Sequence, residues 1–244
     1  MKLNRKQIRM KKPKVCFLAT VYNGQTYIAE AIESMLHQTM KDIEVIYVDD
    51  GSTDHTSDIL MHYSSIDDRF RYYTLPSNVG ISVAWNYGLK KVKAPVICIS
   101  SADDVYTDYR AELSYKKLSQ GKYDAVYGAY LRSHESISDI QQGLLIDGSS
   151  AGMAEVVPYY KGMNKDKQRI PHGFMSITTE MAKKVLYREH LKVGIDYPFI
   201  IDLEKAGCRF TWTKKVLGIY RLHKENVSFK RIAEVDIATK EAQE

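Results

Sequence analysis

The apolar run "KVCFLATVYNG" is rich in β-forming residues and ends at Asn23-Gly24, which predicts a buried strand entering a turn. Ile28, Ile32, Met35 and Leu36 then recur at helical spacing behind Thr26, a candidate cap. "DIEVIYVDDGSTD" repeats the sequence of elements: a strand at 43–48, an acidic turn, and a helix with Ile59, Leu60 and Tyr63 on one face. "RFRYYTL" predicts a third strand. After "PSNVG" a helix carries Ala84, Trp85, Leu89 and Val92, and Pro95 closes the linker to the strand "VICIS". A helix near 108–120 and the strand "YDAVYGAYL" continue the alternation. Residues 132–171 hold scattered charges and glycines with little period, which predicts a long loop or excursion. Two helices follow, "TTEMAKKVLYRE" and "DYPFIIDLEKAG", the second stopped by Gly207; then come the strand "CRFTWTKKVLGIYRLH" and a helical, weakly apolar tail after 229.

Strands alternating with helices across short loops predict an α/β fold with right-handed crossovers and a mainly parallel sheet flanked by helices. Ligands bind such sheets at the carboxyl ends of the strands. "TVYNG", "VDDGS" and "SSADD" each follow a strand, so all three are expected on one edge.

At 244 residues, 44% hydrophobic and 27% charged, the chain suffices for one sizeable core or two small domains. Its apolar runs fall short of the roughly 20 residues that span a bilayer, and the N-terminus has no apolar signal core, so a cytoplasmic chain is expected. Cys16, Cys98 and Cys208 sit in apolar stretches without paired spacing, which predicts buried reduced thiols. The net charge of +5 is local: residues 1–14 carry seven Lys/Arg and no acid, leaving −2 on the rest. Residues 1–13 are expected to form a flexible basic leader. Peripheral contact with an anionic inner membrane surface is the sharper alternative, and nucleic acid is not an expected partner.

The stretch "ISSADDVY" places Asp103 beside Asp104 at the mouth of a buried strand, where two carboxylates are costly unless a cation or donor meets them. Hard oxygen ligands suit Mg²⁺ or Mn²⁺, with one or two carboxylates from the protein and the remaining positions left to phosphate and water. The bland alternative is that both aspartates cap the following helix.

The succession "TVYNG", "SMLHQTMKDIEVIYVDDGSTD", "NVGISVAWNYGLKKV", "PVICISSADDVY" and "YRLHKENVS" resembles the family 2 glycosyltransferases of the GT-A fold, over about residues 14–228. That resemblance implies a nucleotide-binding half at about 14–131, a short acceptor-side half at about 132–228, and a tail at 229–244. It also implies donor-binding roles for Thr20, Tyr22, Asp50, Ala102 and Asp103, with Asp50 reading the base edge. A carboxylate there accepts from a ring N–H, which favours uracil over cytosine, so a UDP-sugar donor is expected. Asp103 matches the last residue of the family's DxD motif, the metal ligand for Mn²⁺ or Mg²⁺, while Ser101 stands where the first Asp is usual. His223 is implied as a metal or diphosphate contact, with Arg221 and Ser228 matching around it. Trp85 replaces an Arg common before Asn86, so donor charge must be met by the metal and other groups.

By the same resemblance, "GIDYPFIIDLEKAG" supplies Asp196 as general base, removing a proton from an acceptor hydroxyl in an inverting transfer. Ile195 stands where the family has Glu, which is expected either to desolvate Asp196 or to mark a different acceptor. Capping of the helix near Tyr197-Pro198 is the bland reading of Asp196. His172 in "IPHGFMS" is implied on the acceptor side. The implied activity is transfer to a glycan or lipid-linked glycan acceptor in surface glycan or polysaccharide synthesis. The rival is a non-catalytic nucleotide-sugar binding protein with a decayed metal motif. A dehydrogenase is disfavoured because no Gly-x-Gly-x-x-Gly turn follows the first strand, and a nucleotidyltransferase because that loop has no Gly-rich basic phosphate cradle.

Overall fold

The computed structural model describes residues 12–133, 155–157, 170–224 and 226. Most of the leader, most of the excursion at 132–171, Ser228 and the tail at 229–244 lie outside the described residues.

The elements run β1 (Val15–Val21), α1 (Ile28–Leu36), β2 (Ile43–Asp49), α2 (Thr56–Ile66), β3 (Phe70–Thr74), α3 (Ile81–Lys91), β4 (Val96–Ile99), β5 (Val105–Tyr106) and α4 (Arg110–Leu118). After them come β6 (Ala125–Ser133), β7 (Glu155–Val157), a 3₁₀ turn (His172–Phe174), β8 (Met175–Thr178), α5 (Thr179–Lys184), α6 (Asp196–Lys205) and β9 (Phe210–Arg221). The strands order as β3-β2-β1-β4-β8-β6-β9-β5, with β7 on β6. The first four are parallel, as the helical crossovers require. β8 pairs antiparallel with both β4 and β6, and β9 runs parallel to β6. An α/β architecture is therefore observed, its parallel set concentrated in the first half.

Alternation along β1 divides the core. Val15, Phe17 and Ala19 face α1, α2 and α4, where Ile28, Ile32, Met35, Leu60 and Ala111 are buried. Cys16 and Leu18 face the opposite side, with Trp85 and Leu89 of α3, Ala182 of α5 and Phe199 and Leu203 of α6. Gly88 lets α3 lie close on the sheet, since a Cβ there would come within 2.8 Å of Leu18 Cδ1. Cys16 and Cys98 are buried free thiols; Cys208 is also free but only half-buried.

Three local expectations are corrected. Thr26 does not cap α1; the Gly24 carbonyl instead accepts from the N–H groups of Tyr27 and Ile28. The helix expected through Glu189 ends at Lys184, because Val185 turns extended and Tyr187 is drawn to α3 by Asn86. Asp103 and Asp104 do not cap a helix, since β5 follows them and α4 begins only at Arg110.

Candidate active site

The parallel register brings the strand ends together. Val21 lies opposite Asp49, and the Asp50 N–H donates to the Val21 carbonyl at 2.8 Å. The Ser100 N–H donates to the Leu18 carbonyl at 2.9 Å, which sets 101–103 on the same edge. Thr20 is half-buried near the end of β1, and Tyr22 is exposed beyond it.

The two carboxylates of "VDDGS" divide their work. Asp49 is fully buried and closes the turn, accepting from the Ser52 N–H and the Ser57 hydroxyl at 2.9 and 2.6 Å. Gly51 completes that turn at φ 73°, where a Cβ would meet the Ser77 carbonyl carbon at 2.5 Å. Asp50 accepts from the backbone N–H groups of Val79 and Gly80, each at 2.9 Å. Each oxygen retains a lone pair, so the carboxylate is an oriented acceptor with capacity to spare. The Lys192 ammonium donates to the Val79 carbonyl at 2.6 Å, fastening the segment before α6 to this loop.

The pair Asp103 and Asp104 splits as well. Asp104 is buried and accepts the Arg221 N–H at 3.1 Å. Burial, reinforced by the neighbouring Asp103 charge, pushes its carboxyl well above the usual range despite that bond. Asp103 turns the other way: one oxygen accepts the Ser101 hydroxyl, and the other stands 3.0 Å from His223 Nε2. His223 is braced from three sides. Its N–H donates to Asn226 Oδ1 at 2.6 Å, its ring lies 4.5 Å from that of Tyr27, and Asn226 Nδ2 is 3.1 Å from Nε2. Arg221 ties the arrangement to α1, ion-paired with Glu30 while its Nε donates to the Asp103 carbonyl at 3.0 Å. Ala102 is half-buried between the two halves of this loop.

Among the described residues no three His, Cys, Asp or Glu side chains gather to hold an ion by themselves. Asp103 and His223 nonetheless fit one. Adjacent ligands of an octahedral ion at about 2.1 Å stand about 3.0 Å apart, the separation seen here, and phosphate and water would complete the shell.

Asp196 is the first residue of α6, behind Ile195 at the cap position, with its side chain 64% exposed. Ile195 is buried in the core cluster that also holds Trp85 and Phe199, while the Asp196 side chain stays exposed and so is not desolvated. His172 is buried behind Asp196. Its Nδ1 lies 3.3 Å from Asp196 Oδ1, and its Nε2 is 2.7 Å from the Tyr187 hydroxyl. Trp85 lies edge-on to His172 with ring centroids 5.8 Å apart. A Cβ placed on Gly173, the residue after His172, would lie 3.5 Å from Asp104 Oδ2, so the 3₁₀ turn borders the Asp104 carboxylate. Tyr187, Asn226 and Lys192 were not singled out from the sequence. Asn226 lies within the quoted "YRLHKENVS", whereas nothing local marks Tyr187 or Lys192.

The fold has solved counterparts. S. aureus TarS (residues 1–349) in complex with UDP superposes with a TM-score of 0.65 at 18% identity, covering 92% of this chain and 64% of that one. The mannosyltransferase PcManGT from Pyrobaculum calidifontis, in complex with GDP-Man and Mn²⁺, gives 0.65 at 17% identity, covering 91% and 60%. In sequence, the chain is 25% identical over 219 residues to glycosyltransferase GlyA of Streptococcus pneumoniae and 32% identical over 122 residues to GlyG of the same organism. These matches take in 88% and 50% of this chain but span only 31% of GlyA and 40% of GlyG. The profile of glycosyl transferase family 2 matches residues 16–189, from β1 through the Tyr187 held by Asn86. With that match over most of its length, the chain belongs to glycosyltransferase family 2.

Proposed function

We propose that this chain transfers a sugar from a UDP-sugar to an acceptor hydroxyl with inversion, using Mn²⁺ or Mg²⁺. The carrying observation is that Asp103 and His223, 120 residues apart in sequence, meet at 3.0 Å on the strand edge that Asp50 also faces. Asp50 accepts a base N–H, Tyr22 offers an exposed ring face to the nucleotide, and Thr20 and Ala102 border the same edge. A bound Mn²⁺ or Mg²⁺, held by Asp103 and His223, would neutralise charge developing on the leaving diphosphate. Asp196 removes the proton of the acceptor hydroxyl as that oxygen bonds to the anomeric carbon and the bond to UDP breaks. The family likeness extends the proposal to a glycan or lipid-linked glycan acceptor in surface polysaccharide synthesis. No described helix is long and apolar enough to cross a membrane.

Incubation with UDP-GlcNAc and Mn²⁺, followed by NMR, tests this reading through slow transfer to water. The expected first product is the β-anomer, with release slowed about 100-fold or more in Asp196→Asn. A first product of α configuration, or an Asp196→Asn variant as fast as the natural protein, contradicts the proposal. UDP binding with no turnover of any sugar or acceptor favours the non-catalytic rival.

A further inference from the structure

We propose that His172 is a positioning residue: held as the neutral Nδ1–H tautomer by the Tyr187 hydroxyl, it fixes the Asp196 carboxylate in the orientation that receives the acceptor's proton. The inference rests on Asp196 being the base and adds a second layer behind it.

The geometry assigns the proton. An ionised carboxylate only accepts, so the ring nitrogen facing Asp196 carries the hydrogen, and Nε2 then accepts from Tyr187. The surroundings keep the ring neutral. Trp85, Tyr187 and Phe199 meet it edge-on with centroids 5.8, 5.7 and 6.0 Å away, and burial depresses its pKa although the Asp196 charge works the other way. Tyr187 stays a donor because burial pushes its phenol up. Its ring is immobilised by stacking on Phe199 at 4.0 Å and 12°, and its backbone is fixed by Asn86 through bonds of 2.9 Å at both N–H and C=O. Asp196 has no such support of its own, being exposed on the first turn of α6. At 3.3 Å the pair is within ion-pair distance and not yet hydrogen-bonded, and such catalytic contacts often tighten only when substrate binds. A carboxylate already aimed loses less orientational freedom when the acceptor arrives.

The tautomer is read without substrate. Long-range ¹H–¹⁵N NMR of the natural protein at pH 7 is expected to show His172 neutral and protonated at Nδ1; an imidazolium or an Nε2–H pattern overturns the proposal. Kinetics supply the second arm, with UDP-GlcNAc hydrolysis in Mn²⁺ as the probe. His172→Phe is expected to lower kcat about tenfold or more with KM for UDP-GlcNAc and UDP binding unchanged. His172→Asn, which presents an N–H near the Nδ1 position, is expected to recover most of that loss. Full activity in His172→Phe, or no recovery in His172→Asn, overturns the positioning role. Asp196→Asn is measured beside them: an active Asp196→Asn removes the base reading itself, whereas an inactive Asp196→Asn with an active His172→Phe removes only the inference.

Discussion

Ser101, where the sequence resemblance leads to the expectation of an acidic residue, serves Asp103 by donating its hydroxyl to that carboxylate, while its own N–H is held by the Tyr106 hydroxyl at 2.6 Å. It orients the carboxylate without adding a second negative charge beside it. Ser101→Ala is therefore expected to weaken UDP binding in Mn²⁺ by about fivefold, the value of one hydrogen bond of about 1 kcal/mol, measured by calorimetry. Unchanged affinity would make the hydroxyl incidental. His172 gives a second prediction. Its folded pKa is lowered, by burial chiefly, so below about pH 6.5 the unfolded chain takes up a proton that the folded ring refuses. Stability should fall as pH drops through that region, and His172→Asn should show a shallower fall in urea midpoints between pH 7 and 5. Asp196 is the charge that opposes this shift, and Tyr187 is the other titratable group against the ring. An identical pH slope in both proteins would contradict it.

At the scale of elements, what positions the site is the grip of α3 on the segment after α5. Asn86 satisfies both backbone groups of Tyr187 as a strand partner would, Ser82 donates to the Leu191 carbonyl at 2.8 Å, and Lys192 reaches Val79. Asn86→Ala strands a buried N–H and carbonyl. A loss of about 2–3 kcal/mol is expected by urea denaturation, with loosening of the Tyr187 to His172 contact; a loss under about 0.5 kcal/mol would contradict the assigned role. Arg110 performs the comparable task below Asp103. Fully buried, it donates to the carbonyls of Ile99 and Met175 at 2.7 and 3.1 Å, and its guanidinium lies 4.3 Å from the Tyr106 ring. Among the described residues Nε and Nη1 find no hydrogen-bond partner, and the guanidinium sits among the rings of Tyr106, Phe17 and Phe174.

Across the whole molecule, the first half of the chain was legible because its signals are local. Apolar runs rich in β-formers and helical spacing placed β1 to β4 and the intervening helices, and three acidic or polar loops after strands pointed to one edge of the sheet. The second half was harder because contacts between distant segments override local preference. "VLYRE" has helical character, yet Tyr187 leaves the helix to pair with Asn86, and the aromatic pocket it builds around His172 has no linear signature. The split of Asp103 from Asp104 was likewise hidden, since Arg221 at the end of β9 supplies the N–H that meets one and His223, two residues beyond, the imidazole that faces the other. The architecture that results draws the residues proposed for base reading, diphosphate contact and proton acceptance from segments in both halves of the sheet. The central claim is that the edge still binds a nucleotide through a cation despite Ser101 and Ala102. Calorimetric titration of UDP with and without Mn²⁺, on the natural protein and on Asp103→Ala, tests it most directly. The account predicts binding that weakens at least about tenfold when either the metal or the Asp103 carboxylate is removed; equal affinity without metal, or an unaffected Asp103→Ala, would contradict it.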